Sequence, residues 1–347
     1  MIMVGDSETV WITERDVVDL LGLRSAVRAL EDALAKQASG AAATMVKTHA
    51  TWGDRATLHA LGGTLPHAGL VGVKCWAHTP AGASPLLVLF DAGDGRTVAI
   101  IEAFALGQLR TSAVSAVATD RLAGRGASEM AIAGTGKQAF GQVAAVLAVR
   151  PVKRVHVWSR TAGAAARFGD RLAGTLAVEV VLHGSVAEAV ADIPIVTLAT
   201  RAVTPFLAVA DVAPGTHVNA IGAITPERAE FEPGLLDRAE VVVADNVTQT
   251  RALAREFITY FGQDEAAWQR VRDLSDLVAS GRRRPPGADV TVFKAMGIGL
   301  ADVALGAHVL EAARVAGRGR GIPSSEPADA FQGGFDMISK TRELDQA

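Results

Sequence analysis

Cys75 is the single cysteine of this 347-residue chain. Its isolation excludes an internal disulfide and any thiolate metal cluster built within one chain, and it fits a reducing compartment. An excess of charge is missing too. Lys+Arg number 34 against 37 Asp+Glu, a net charge of -3, so no basic field draws in nucleic acid or an anionic membrane. No uncharged apolar run approaches the roughly 18 residues of a membrane span, and the opening MIMVGDSETV has neither a basic stretch nor an apolar one after it. Internal repeats and low-complexity segments are absent. The expectation is a cytoplasmic protein whose partner is a small molecule. What the chain does have is apolar residues, 49% of the total, enough for one large core or two ordinary ones.

The segment through about Ser39 reads as helix: Thr13 with Asp16 three residues on is a cap pattern, and Val27, Leu30 and Leu34 share a face. LVGVKCWAHT, PLLVLFDAG and TVAIIEAF then read as strands, with Asp94-Gly95 as a hairpin turn between the last two. From the small-residue helix LRTSAVSAVATDRLA onward, strand and helix alternate. MAIAG, RVHVWS, VEVVL, IPIVTLA, HVNAIG and EVVVADN are the strands, and Ser185 with Glu188 caps a helix between two of them. That rhythm predicts an α/β fold with a doubly wound, mostly parallel sheet, beside an α+β domain. A last apolar helix, GIGLADVALGAHVLEAARVAG, precedes a tail from Arg318 rich in Gly, Pro and Ser, to which no fold is assigned.

The most pointed local signal is Gly134-Thr135-Gly136-Lys137-Gln138-Ala139. A Gly-x-Gly-x-x-Ala turn alone is weak, because glycine turns are common. Here it follows an apolar strand and opens a helix whose Phe140, Val143 and Leu147 share a face, the arrangement that sets a pyrophosphate on a helix N-terminus. The competing reading is a plain strand-to-helix turn. About 25 residues after Gly134, where an acid would bind the ribose of NAD, stand Ser159, Arg160 and Thr161. Two hydroxyls and a guanidinium suit a 2′-phosphate, so NADPH is preferred and NADH remains possible. Arg160 could also be a solvated loop cation.

Several segments in the right order resemble the ornithine cyclodeaminase/mu-crystallin family of NAD(P)-dependent enzymes. They are GVKCW, LGQLRTSAVSAVATDRLA, IAGTGKQA, VWSRT, HVNAIGA and TVFKAMGIGLADVALGA, spread over about residues 12 to 317. VWSRT looks most like the branch of NADPH-dependent imine reductases. The resemblance implies a Rossmann domain over 119–291 and a substrate-binding and dimerisation domain over 1–118, completed by 292–317, with 318–347 as the tail. It implies a homodimer. It also implies a cofactor site drawing on Thr111, Gly134, Thr135, Gly136, Lys137, Gln138, Ser159, Arg160, Thr161, Ala220, Gly222 and Ala223.

The family's substrate-carboxylate cations map to Lys74, Arg110 and, where an arginine is usual, Lys47. Lysine keeps that charge but loses the bidentate fork. Lys74 is the catalytic candidate, as carboxylate anchor or as proton donor, in a pocket closed by the loop from Thr291 to Gly297. Cyclodeaminases carry an aspartate where this chain has Ile224. Ile224 cannot take a proton from an ammonium group, whereas imine reduction needs no such base.

These features point to NADPH-dependent reduction of a C=N bond beside a carboxylate, in a small cyclic imino acid. An oxidative amino-acid dehydrogenase or cyclodeaminase with another base stays open, as does a cofactor-loaded binding protein without turnover. His49, His59, His67 and His78 have no metal-ligand spacing, so no metal is expected. His49 and His78 are candidates for the pocket wall, His78 as an alternative proton donor. Cys75 reads as a packed thiol, and GRRRPPG as a solvated loop.

Overall fold

The computed structural model describes residues 8–54, 56–323 and 325. Eight strands form a wholly parallel sheet in the order Glu179–Leu182, Arg154–Trp158, Glu129–Ala133, Ile195–Leu198, His217–Ala220, Val290–Lys294, Ala239–Ala244, Val271–Asp273. Chain order reverses between Glu129–Ala133 and Ile195–Leu198, which opens a crevice at their carboxyl ends. All six expected strands are present. Two more were not anticipated: Val271–Asp273 is three residues long and two of them are charged, and Val290–Lys294 ends in a lysine that reads as surface yet is fully buried. Because Val290–Lys294 lies inside this sheet, the division expected at 291/292 cuts through a strand. The segment expected as a loop from Thr291 to Gly297 is strand as far as Lys294.

The second sheet is mixed. Its order is Arg320–Ile322, Thr9–Ile12, Thr97–Glu102, Leu86–Asp91, Leu70–Thr79, Ala56–Leu65, Ala43–Thr44, and Thr48–Trp52 also pairs with Ala56–Leu65. Thr9–Ile12 runs parallel to Thr97–Glu102; the other pairs are antiparallel. Asp94-Gly95 does lie in the turn between Leu86–Asp91 and Thr97–Glu102, where Asp91 Oδ1 accepts from the amides of Gly93 and Asp94. The tail is not wholly without structure, since Arg320–Ile322 pairs with Thr9–Ile12; residues 324 and 326–347 lie outside the described residues.

The first helical segment is two helices, Glu14–Leu20 and Leu23–Ala38, broken at Leu21-Gly22. Thr13 and Asp16 form the expected capping box, as do Ser185 and Glu188. The Glu14 carboxylate accepts from the amides of Phe104 and Ala105 and so caps the helix Phe104–Leu122. That helix crosses from one sheet to the other, and its buried Ser112 and Ser115 donate to carbonyls one turn back. Its far end is closed by Arg150, which donates to the carbonyls of Thr119, Asp120, Ala123 and Gly124 and pairs with Asp120 at 2.7 Å.

The last helix, Gly299–Ala316, returns to the mixed sheet. It sits against the strand Ala56–Leu65 at backbone distance: a Cβ on Gly299 would lie 2.2 Å from the carbonyl oxygen of Gly62. Only hydrogen side chains permit that approach. No helix among the described residues is long and apolar enough to cross a membrane.

Candidate active site

A cavity of about 910 Å³ fills the crevice. Its floor is the turn after Glu129–Ala133. Gly134 has φ +109°, and a Cβ there would stand 2.5 Å from the Ala199 carbonyl oxygen, so the turn accepts only glycine. Where a Cβ of Gly136 would project there is open space. The 11-residue helix Ala139–Val149 starts directly behind, its N-terminus at the turn. Thr135 Oγ1 lies 3.5 Å from Ser159 Oγ across the turn. Thr111, Gly134, Thr135, Gly136, Lys137, Gln138, Ser159, Arg160, Thr161 and Gly222 all line the cavity. Ala220 and Ala223 do not: both are fully buried behind its wall.

The cations expected to hold the substrate lie close together on the same cavity. Lys47 and Arg110 line the cavity together with Trp76. Lys74 stands behind them, 4% exposed, on the strand Leu70–Thr79. Its Nζ donates to Oδ1 of the fully buried Asp302 and lies 5.4 Å from the Trp76 ring centre, with Lys47 Nζ 6.0 Å from the same ring. Arg110 Nε is 3.5 Å from the same Asp302 oxygen. Burial pulls the Lys74 pKa down to about 8, opposed by the Asp302 carboxylate and reinforced by Arg110. Burial, with Arg110 beside it, also lowers that of Lys47. Ile224 is on the wall.

Three acids that sequence reasoning did not single out organise these groups. Asp302 is the first. Asp245, fully buried at the cavity wall, accepts from the amides of Met296 at 2.7 Å and Gly297 at 2.8 Å and so fixes the segment after Val290–Lys294. Burial raises its pKa to about 6, against those amides and the Arg110 charge. Glu230 accepts from the amides of Thr200, Gly222 and Ala223 and from the Thr200 hydroxyl, which ties together the loops following two adjacent strands. Burial raises its pKa, opposed chiefly by the buried ammonium of Lys294, which donates to the Ala223 carbonyl at 2.5 Å. The available signal was an acid inside an apolar run, in GLADVAL and EVVVADN, because a buried carboxylate needs a partner.

The histidines stay off the wall. His49 and His78 are exposed and do not line the cavity. His59 stacks on Trp76 at 4.7 Å, and burial with nearby Lys47 lowers its pKa to about 4. Among the described residues no group of three or more His, Cys, Asp or Glu side chains has metal-binding geometry.

Fold and cavity define a class of protein: a Rossmann-type parallel sheet joined to a mixed-sheet domain, with a glycine turn and a cation cluster facing one crevice. The chain belongs to the ornithine cyclodeaminase/mu-crystallin family, whose sequence profile matches residues 7–317. A Delta(1)-pyrroline-2-carboxylate reductase of Bacillus cereus is 30% identical over 241 residues, 68% of this chain and 73% of that reductase. Ketimine reductase mu-crystallin of Mus musculus is 29% identical over 217 residues, 62% of this chain and 66% of that protein. The iminosuccinate reductase of Paracoccus denitrificans, solved with NAD+, has a TM-score of 0.84 at 26% identity, covering 91% of this chain and 99% of that one.

The turn gives a first test. Gly134→Ala forces a side chain into the left-handed region and against the Ala199 carbonyl, so unfolding by denaturant should show a loss of about 1–3 kcal/mol.

Proposed function

We propose that this protein reduces the C=N bond of a small cyclic imino acid, next to its carboxylate, and uses NADPH in preference to NADH. The observation that carries this reading is the meeting of Lys47 and Arg110, with Lys74 just behind them, on a cavity that the Gly134 turn also lines. The cradle fits a dinucleotide: a helix N-terminus for the pyrophosphate, open space at Gly136 for its approach, and Arg160 beside two hydroxyls for a further phosphate. Lys137, Arg160, Arg201 and Arg228 line the same cavity, whereas Asp245 is the one acid on its wall among the described residues. Such a surplus of cations favours the more highly charged cofactor.

When bound, the reduced nicotinamide supplies the hydride. The side chains of this chain do the rest. Arg110 and Lys47 hold the substrate carboxylate and so fix which face of the imine carbon is presented. Lys74, held close to neutrality in its pKa, supplies a proton to the nitrogen. In the oxidative direction the base would be the neutral form of Lys74, which the Asp302 carboxylate disfavours; Ile224 offers no other, and Asp245 commits both oxygens to the amides of Met296 and Gly297. The names of the two relatives, a pyrroline-carboxylate reductase and a ketimine reductase, support the same direction. The unit is a homodimer in this reading. Met45, Val46, Trp52 and Leu58, all exposed, form an apolar area around the strand Thr48–Trp52 for a second copy to cover.

Purified protein should oxidise NADPH when given pyrroline- or piperideine-carboxylates, and should reduce NADP+ far more slowly with the corresponding amino acids. Silence across the imine panel would exclude the reductase, and ligand binding with silence in both directions would mark a binding protein instead. The cofactor preference has its own check. Arg160→Ala should weaken NADPH about tenfold or more, as expected for one charge-assisted contact, with little change for NADH. Equal losses would show that Arg160 does not read the phosphate.

A further inference from the structure

Asp302 needs a reason to be where it is. A carboxylate with no exposure, in the apolar first half of its helix, is costly unless something requires its charge. Its partners are two of the cations of the site: Lys74 through Oδ1, and Arg110 Nε at 3.5 Å from the same oxygen. The second contact is too long for a hydrogen bond and acts as a charge contact. Neither Asp302 Oδ2 nor Arg110 Nε has a hydrogen-bond partner.

The surroundings of Lys74 can be taken element by element. The two strands beside it place Leu61 and Leu87 opposite. The helix Phe104–Leu122 brings Arg110, the segment ahead of Thr48–Trp52 brings Lys47, and the helix Gly299–Ala316 brings Asp302. Asp245 faces Arg110 from the far side. Apolar walls and two cations thus press Lys74 toward the neutral amine, and Asp302 alone among these groups opposes them.

We infer that Asp302 is a positioning residue of the reaction: by gripping Lys74 Nζ beside Trp76 it keeps the lysine charged and aimed, so that Lys74 can protonate the nitrogen of the imine. The inference rests on the reductase reading. In the step, an N–H bond forms on the substrate as an Nζ–H bond of Lys74 breaks, the π electrons of C=N pass to nitrogen, and the carbon receives the cofactor's hydride. The imine is reduced and the nicotinamide oxidised. Lys74 is left as a neutral amine, which regains a proton from solvent under the field of Asp302.

Because only the charged lysine donates, kcat falls as pH rises through the Lys74 pKa, near 8. Asp302→Asn keeps the shape and removes the opposing charge, so that pKa drops, and the alkaline limb of kcat should move down by about 1–3 pH units. Above the limb, each unit is about tenfold in turnover. KM for the imine should change much less than kcat. Asp302→Glu, which restores the charge, should hold the limb near its native position.

Lys74 can also be followed without substrate, by NMR of protein carrying 13C at lysine Cε, its resonance being the one missing from Lys74→Arg. Its midpoint should lie below that of an ordinary lysine in the native protein and fall further in Asp302→Asn. A limb and a resonance both unmoved by Asp302→Asn would overturn the inference. So would a native Lys74 titrating at or above the ordinary lysine value, a result that needs no variant at position 302 to fold. If native protein reduces no imine while the Lys74 resonance still shifts with Asp302, the reductase reading fails and the coupling stands.

Discussion

The ion pair between Lys74 and Asp302 joins two elements that are far apart in the chain, separated by 228 positions. Burying it is expensive, and the expense is offset only if geometry holds both groups in place. That geometry comes from the backbone contact of Gly299 with Gly62, which docks the last helix on the mixed sheet and sets Asp302 one turn in from the contact. Arg110 reaches the same oxygen from the helix that crosses between the sheets. The strand, the crossing helix and the returning helix thus meet at a single carboxylate. Moving any of them would strand a charge out of water.

A second buried carboxylate does comparable work at the loops that follow Ile195–Leu198 and His217–Ala220. Glu230 collects three backbone amides from two loops, and Lys294 answers its charge from the neighbouring strand. The pattern is consistent across the site. Apart from Asp245, the acids are placed behind the wall, where they hold backbone and cations; the cations are placed on or just behind it, facing the cavity. A cavity built this way is preorganised for anions, and Asp245, the one acid on its wall among the described residues, is tied to two backbone amides.

How much of this was legible in the sequence follows from range. The Gly134 turn and the two capping boxes depend on residues three to six apart, and all were readable. Six strands of the parallel sheet announced themselves as apolar runs between helices. Val290–Lys294 did not, because its terminal lysine looks solvated until Glu230, Glu256 and the Ala223 carbonyl are seen around it. Lys47, Lys74 and Arg110 were found by resemblance to a family, not by pattern, since a lysine on a strand usually snorkels. Asp302, Asp245 and Glu230 were missed because each is defined by a partner from elsewhere in the chain; Ala220 and Ala223, expected among the cofactor contacts, are buried and outside the cavity lining.

The claim at the centre is that hydride arrives at the carbon between the C=N nitrogen and the carboxylate held by the cation cluster. Turnover of 1-pyrroline-2-carboxylate with reduced cofactor carrying deuterium at both positions of nicotinamide C4, followed by NMR of the product, tests it most directly. Deuterium on the carbon that bears the carboxylate, in one stereochemical sense, is the result this site requires. A product without label at that carbon, or labelled on both faces, would contradict it.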